Sequence, residues 1–475
     1  MPRRILQVAE AVQPDLTAGF ARIRAEMRLP VEFGRSAMAE ALSAAGRSLP
    51  ERPDRTDIPL LTIDPPDSMD LDQAMCIERA GEGYRVWYAI ADVGAFVTPG
   101  GALDTEVHLR GESVYLPDGN VPLHPRELSE GAASLLPGQT RPAALWRIEL
   151  DASGEITAAD VTRALVRSRE RHDYRSVQDT LDAGRAEGTI ALLAEVGKLR
   201  QALERARGGV SIPSAEQEVV GGNGAYRLEF RFPLAAEGWN AQISLLTGIA
   251  AARMMLDGGV GVLRALPAPS EQDIAKVRRC ARALDVPWPK GEGFGDVVAG
   301  LDPSLSKHAA FLQESMLLLR GSGYEAFDGS VPEPHVHSAV AAPYAHVTAP
   351  LRRLVDRYAT EVCLALCAGS EIPSWVRERL PALPKEMAVS GRRAGSVERA
   401  AVDLVEATVL GPRVGERFAS VVIDVEDSKP AGRVQIADPA VIARCTGEGL
   451  PLGEALAVRL VVADAEKRRV EFTPA

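Results

Sequence analysis

The sequence predicts an α+β multidomain protein: a small N-terminal helical unit over residues 1–48, a large mixed α/β domain over 49–405, and a C-terminal β-barrel of OB-fold type over 406–475. Three observations predict it. Apolar residues recur at helical spacing before residue 48; from about residue 60 they fall in short β-rich runs separated by glycine-containing turns; residues 414–475 alternate such runs with Gly and Pro. At roughly 150 residues per domain, a chain of 475 residues holds about three, and 46% hydrophobic content suffices for large cores.

Charge and cysteine usage narrow the class. A net charge of −11 argues against a generally basic surface that coats nucleic acid, so a polyanion partner must enter a local basic site. Arginines cluster at 166–176, 351–358 and 391–400, where a solvated helix face is the other reading. Five scattered cysteines do not form a disulfide framework, and Cys363 and Cys367, one helical turn apart, read as core packing. No apolar run approaches the roughly 18–20 residues of a membrane span, and acids follow the N-terminus closely; a cytoplasmic location is expected.

Along the chain, "RILQVAEAV", "TAGFARIRAEM" and "FGRSAMAEALSAAG" read as three short helices, compatible with a helix-turn-helix-like module or with a packed cap. "GRSLPERPDRTDIP" (46–59) is a polar, Pro-rich linker. "PLLTI", "AMCIE" and "YRVWYAIADV" follow as strands, the last two a hairpin.

Within this region "TIDPPDSMDLDQAM" (62–75) concentrates acids among apolar neighbours. If Asp70 and Asp72 lie on a strand they share a face, and a turn at "PPDS" can bring Asp64 beside them. Converging carboxylates raise one another's pKa unless a cation neutralises them, and all-oxygen donors favour Mg²⁺ or Mn²⁺. An acidic turn without function is the alternative. In "AHVTAPLRRLVDRYATEVCLAL" (345–366), Pro350 suits a first helical position with Thr348 or Ala349 at the cap, placing Arg352 and Arg353 in the first turn. Cations there oppose the helix dipole, which suggests an anion site, phosphate being the natural guest. Carboxylates and arginine together suit metal-assisted phosphoryl chemistry.

With "RGESVYLPDGNVPLHPRELSEGAASLLPG" (110–138) between them, these blocks resemble the motifs of the ribonuclease II/R exoribonucleases, which carry an RNB catalytic domain. The resemblance covers roughly residues 50–475 and keeps the family's motif order. It implies processive 3′-to-5′ hydrolysis of single-stranded RNA to nucleoside 5′-monophosphates, with Mg²⁺ (or Mn²⁺) as cofactor. By position it implies that Asp64, Asp70 and Asp72 hold the metal, that Asp70, Asp72 and Arg352 are catalytic, and that Gln73 occupies a fourth ligand position where relatives have Asp. It further implies that Tyr115 stacks on the base at the RNA 3′ end, that Arg352 binds the scissile phosphate beside Arg353, and that Glu398 lies near the terminal nucleotide. Phe230 or Phe232 would help clamp the terminal bases. From chemistry alone, Tyr115 could equally be a packing tyrosine and Glu398 a surface ion-pair partner.

Three positions depart from the family pattern: Gln73, Ala89 where some relatives carry His, and Ala349 where Ser is usual. The neutral amide at 73 should weaken metal binding, and Ala349 loses a helix cap worth about 1 kcal/mol. At the C-terminal end Phe418 and Phe472 are the aromatics, so backbone tracking should outweigh stacking in the OB-fold. His335, His337 and His346 could suggest zinc, but the family holds no metal there. A non-catalytic RNA-binding protein and an Mg²⁺-dependent phosphatase are the competing functions.

Overall fold

The computed structural model describes residues 14–212, 216–222, 225–333, 335–426 and 429–475. The helix expected over residues 4–12 lies outside them. Helices α1 (Pro14–Glu26) and α2 (Arg35–Ala45) match the other two periodic segments. α1 buries Leu16, Phe20 and Ile23, spaced i, i+4, i+7, in a core shared with the C-terminal helix and barrel. α2 instead docks on α3 (Ala102–Arg110), and the Glu40 carboxylate accepts the Ala102 and Leu103 amides at 2.8 and 2.9 Å. The two described helices thus dock chiefly on different elements, α1 on the C-terminal helix and α2 on α3.

Five strands close a first barrel in the order β1-β2-β3-β6-β7. They are β1 (Leu60–Ile63), β2 (Gln73–Ala80), β3 (Gly83–Ala91), β6 (Thr140–Leu150) and β7 (Ile156–His172), with a small hairpin of β4 (Val114–Leu116) and β5 (Gly119–Val121) inserted. The predicted β2–β3 hairpin is present, turning at Gly81 with φ +58°. At Gly83 a Cβ would sit 1.9 Å from the Leu150 carbonyl oxygen, so only glycine lets β3 and β6 approach. Strand alternation separates two cores. Met75, Ile77, Val86, Tyr88, Trp146 and Ile148 pack beneath helices. The opposite set interleaves small side chains, Ala74, Cys76, Ala89, Ala91, Ala143 and Ala164, with larger ones such as Leu60, Leu145 and Val166 to fill the interior of the five-stranded barrel.

Helices α4 (Tyr174–Asp182), α5 (Gly188–Ala206) and α6 (Ala235–Gly258) follow, with hairpins β8 (Glu216–Gly222)–β9 (Ala225–Arg231) and β10 (Val260–Ala265)–β11 (Gly323–Asp328). α7 (Glu271–Ala283), α8 (Phe294–Ala299) and α9 (Ser306–Ser315) form a satellite core that also takes in Ile423. α10 (Leu354–Ala368) lies on the first barrel, and beyond α11 (Ser374–Arg379) the long α12 (Leu383–Leu410) leads to a second closed barrel. Its strands β12 (Arg417–Val425), β13 (Ala431–Ile436), β14 (Val441–Thr446), β15 (Ala455–Asp464) and β16 (Arg469–Pro474) run in the order β12-β13-β14-β16-β15. Phe418 and Phe472 meet edge to face at 5.7 Å inside it, so both serve its core. Cys363 is buried as expected, whereas Cys367 is exposed, contrary to its reading as core. Among the described residues no helix is long and apolar enough to cross a membrane.

Candidate active site

The acidic stretch is a loop, not a strand: β1 ends at Ile63 and β2 begins at Gln73. Its shape has local causes. The Asp64 amide donates to the His172 carbonyl, prolonging the β1–β7 pairing by one residue, and the Arg171 guanidinium donates to the Pro65 and Pro66 carbonyls. Leu71 is fully buried; its amide donates to Ser134 Oγ at 3.0 Å, and that hydroxyl donates to the Met69 carbonyl at 2.6 Å. A plugged Leu71 flanked by two acids places Asp70 and Asp72 on either side of one anchor. Strand alternation, the expected reason for their proximity, plays no part.

Asp72 is 1% exposed and accepts from the Leu351 amide at 2.8 Å and from Arg352 Nε at 2.7 Å. Burial pushes its carboxyl up to about 7 against the pull of Arg352. Asp64 is likewise pushed up to about 7, chiefly by burial, with Asp72 and Asp70 adding to the rise. Asp70 is partly exposed, and the Tyr115 hydroxyl donates to it at 3.3 Å. Tyr115, on β4, is 47% exposed and borders the acids at the surface.

The arginine segment also departs from expectation. α10 begins at Leu354, with Arg353 at its N-cap, so Arg352 and Arg353 precede the first helical turn and Ala349 is not the cap. Asp356 explains the shift. Its fully buried carboxylate accepts the Ala349 amide at 2.7 Å and both Nε and Nη2 of Arg353 at 2.9 Å, stabilising a turn through Pro350 ahead of the helix. Arg353 is thereby held in an ion pair with the buried Asp356. Arg352 is held from both sides: its carbonyl accepts the Ser113 amide, and the neighbouring Leu351 carbonyl accepts from His124 Nδ1 at 3.1 Å. Burial lowers His124 to about 4, keeping it neutral at pH 7.

Gln73 was expected as a fourth metal ligand, but its amide has protein partners. Nε2 donates to the Thr348 carbonyl at 2.7 Å and Oε1 accepts from the Tyr88 hydroxyl at 2.5 Å. Glu398 lies on α12, which packs on β4 behind Tyr115. Phe230 is half-buried against the second barrel's core, and Phe232 is exposed. Sequence reasoning missed Arg171, Ser134, Tyr88, Ser244 and Asp356. Arg171 stands in a flagged arginine run, yet no spacing rule ties it to a turn a hundred positions earlier.

As donors, Asp64, Asp70 and Asp72 suit a hard divalent cation, because two of them are disfavoured as bare anions. Among the described residues no three acids, histidines or cysteines are closed around a common point, Asp72 being turned onto Arg352.

A barrel that carries an acidic loop facing an arginine turn, followed by an OB-type barrel, defines the RNB class of architecture. The chain belongs to the RNB domain family: that family matches residues 52–366, and the RNase II-type exonuclease C-terminal S1 domain matches 416–475. It is similar to Ribonuclease R of Escherichia coli, at 27% identity over 468 residues, 89% of this chain and 57% of that protein. Ribonuclease R of Mycoplasma pneumoniae is 26% identical over 401 residues, 78% of this chain and 54% of that protein. The chain thus spans little more than half the length of these relatives. The apo form of Mycoplasma genitalium RNase R superposes with a TM-score of 0.86 at 19% identity, covering 97% of this chain and 78% of that one. Yeast Ssd1, described as a pseudonuclease, gives 0.72 at 14% identity, covering 95% and 58%.

Proposed function

We propose that the protein is a 3′-to-5′ exoribonuclease that hydrolyses single-stranded RNA to nucleoside 5′-monophosphates with Mg²⁺, Mn²⁺ being able to substitute. The observation that carries this reading is the buried Asp72 facing Arg352, with Asp64, Asp70 and the exposed Tyr115 around them. The fold is shared by nucleases and a pseudonuclease, so the site must decide between catalysis and binding alone. The three acids that remain, Asp64, Asp70 and Asp72, favour catalysis.

In this reading Asp64, Asp70 and Asp72 would hold the divalent cation, which would neutralise their charge and supply Lewis-acid activation of water. Arg352 offers its guanidinium to the scissile phosphate, Tyr115 stacks on the terminal base, and Glu398 contacts the terminal nucleotide. Stacking accepts every base because each has a π-face. The C-terminal barrel tracks the RNA backbone. Digestion of 5′-labelled single-stranded RNA tests the reading: stepwise shortening with Mg²⁺ or Mn²⁺ supports it, and tight binding without shortening selects a non-catalytic RNA-binding protein.

Two further results are expected. Tyr115→Ala should weaken retention of single-stranded RNA by about 1–3 kcal/mol, with Tyr115→Phe close to native, since the ring face rather than the hydroxyl contributes. Equal losses in both variants would assign the hydroxyl's bond to Asp70 the larger part. The second concerns pH. Asp64 and Asp72 sit near 7 in the folded chain against an ordinary 3.8, so the stability they contribute is fully present below about 3.8 and is lost as pH rises through about 7. A bound cation reverses that loss. The rise in thermal midpoint on adding Mg²⁺ to chelator-treated protein should therefore grow between pH 6 and pH 8; a constant increment would place Mg²⁺ elsewhere.

A further inference from the structure

Residues 72 and 73 grip one turn from two ends. Asp72 accepts from the Leu351 amide and Arg352 Nε, while Gln73 donates to the Thr348 carbonyl at 2.7 Å, so segment 348–352 is held at its entry and at the arginine itself. The other half of the Gln73 amide is also engaged. Its Oε1 accepts from the Tyr88 hydroxyl and lies 3.4 Å from Ser244 Oγ, and those two hydroxyls are 2.9 Å apart. One side chain thus joins β2, β3, α6 and the arginine turn. The Thr348 carbonyl can only accept, so the amide orientation is dictated: nitrogen toward Thr348, oxygen toward the fully buried Tyr88 hydroxyl.

An aspartate would not keep these partners. A carboxylate has no N–H for the Thr348 carbonyl and would set two acceptors against each other. Position 73 and its surroundings are therefore matched to a neutral donor–acceptor pair.

Building on the exoribonuclease reading above, we propose that Gln73 is a positioning residue for Arg352, acting through the Thr348–Arg352 turn, and that its amide is required there rather than being a weakened metal ligand. The test uses the full chain with Gln73→Glu, which keeps the acceptor and removes the donor, Gln73→Asp, and each combined with Arg352→Ala. Single-turnover and steady-state hydrolysis of labelled RNA is measured, with thermal unfolding over a Mg²⁺ titration as a readout independent of activity. In the native background both substitutions should lower kcat by about tenfold or more while KM stays within about twofold, because the lost interaction acts in the transition state. In the Arg352→Ala background their additional effect should nearly vanish, since residues acting as a unit are not additive. The Mg²⁺ concentration for half-maximal stabilisation should not fall in Gln73→Asp. Higher activity or tighter Mg²⁺ binding in Gln73→Asp, or fully additive losses with Arg352→Ala, overturns the proposal. A native protein that binds RNA without shortening it would overturn the exoribonuclease reading and the proposal's kinetic content together, whereas an active native protein indifferent to Gln73→Glu overturns the proposal alone.

Discussion

Asp72→Asn is expected to reduce RNA hydrolysis by roughly 10³-fold, the scale seen when a group that stabilises developing charge is removed, while leaving RNA binding close to native. The side chain keeps its volume, so the Leu71 anchor and the loop around it need not move. What changes is charge and donor pattern. An asparagine oxygen can accept from either the Leu351 amide or Arg352 Nε, but its NH₂ then faces the other donor. Arg352 loses its anionic partner and a metal loses the most deeply buried donor. Stability should change much less than activity, because the lost ion pair is offset by removing a carboxyl whose burial already disfavours its charge. Labelled-RNA digestion beside a binding assay reads both parts. Native-rate digestion by the variant would move the catalytic acids elsewhere.

Asp356→Ala is the substitution expected to cost most in stability, about 3–5 kcal/mol, the range for breaking a buried pair by removing one partner. Its fully buried carboxylate serves the Ala349 amide and two nitrogens of Arg353, so truncation leaves a largely buried guanidinium without its principal counter-charge and a buried N–H without its acceptor. The turn carrying Arg352 is the structure released, so hydrolysis should fall as well. Denaturant unfolding of Asp356→Ala, Arg353→Ala and the double variant gives the coupling. A double variant less destabilised than the sum of the singles is expected. A change within about 0.5 kcal/mol for Asp356→Ala would fit a solvent-screened surface pair instead.

Much of the architecture was legible because it rests on local periodicity. The 3.6-residue spacing of Leu16, Phe20 and Ile23 and the hairpin joined at Gly81 are short-range patterns. The five runs at the C-terminal end also show in the sequence, and the structure closes them into a barrel. Closure of the first barrel was less visible. β1 pairs in parallel with β7 across about a hundred residues, and no local signal announces such a partner. The start of α10 was misread for a similar reason. Pro350 is a good N1 residue, but Asp356 binds the Ala349 amide and Arg353 side chain and holds the preceding segment in a turn.

The candidate site divides along the same line. The sequence by itself determined which chemical groups exist and their order: Asp64, Asp70, Asp72, Tyr115, Arg352, with the apolar Leu71 between two acids. Only the tertiary structure decided their partners: Asp72 with Arg352, Arg353 with Asp356 and Gln73 with Tyr88 and Thr348. The physical reason is that a side chain's chemistry is written in one letter, whereas its charge state and hydrogen-bond partner depend on burial and on what the fold brings within about 3 Å from distant parts of the chain.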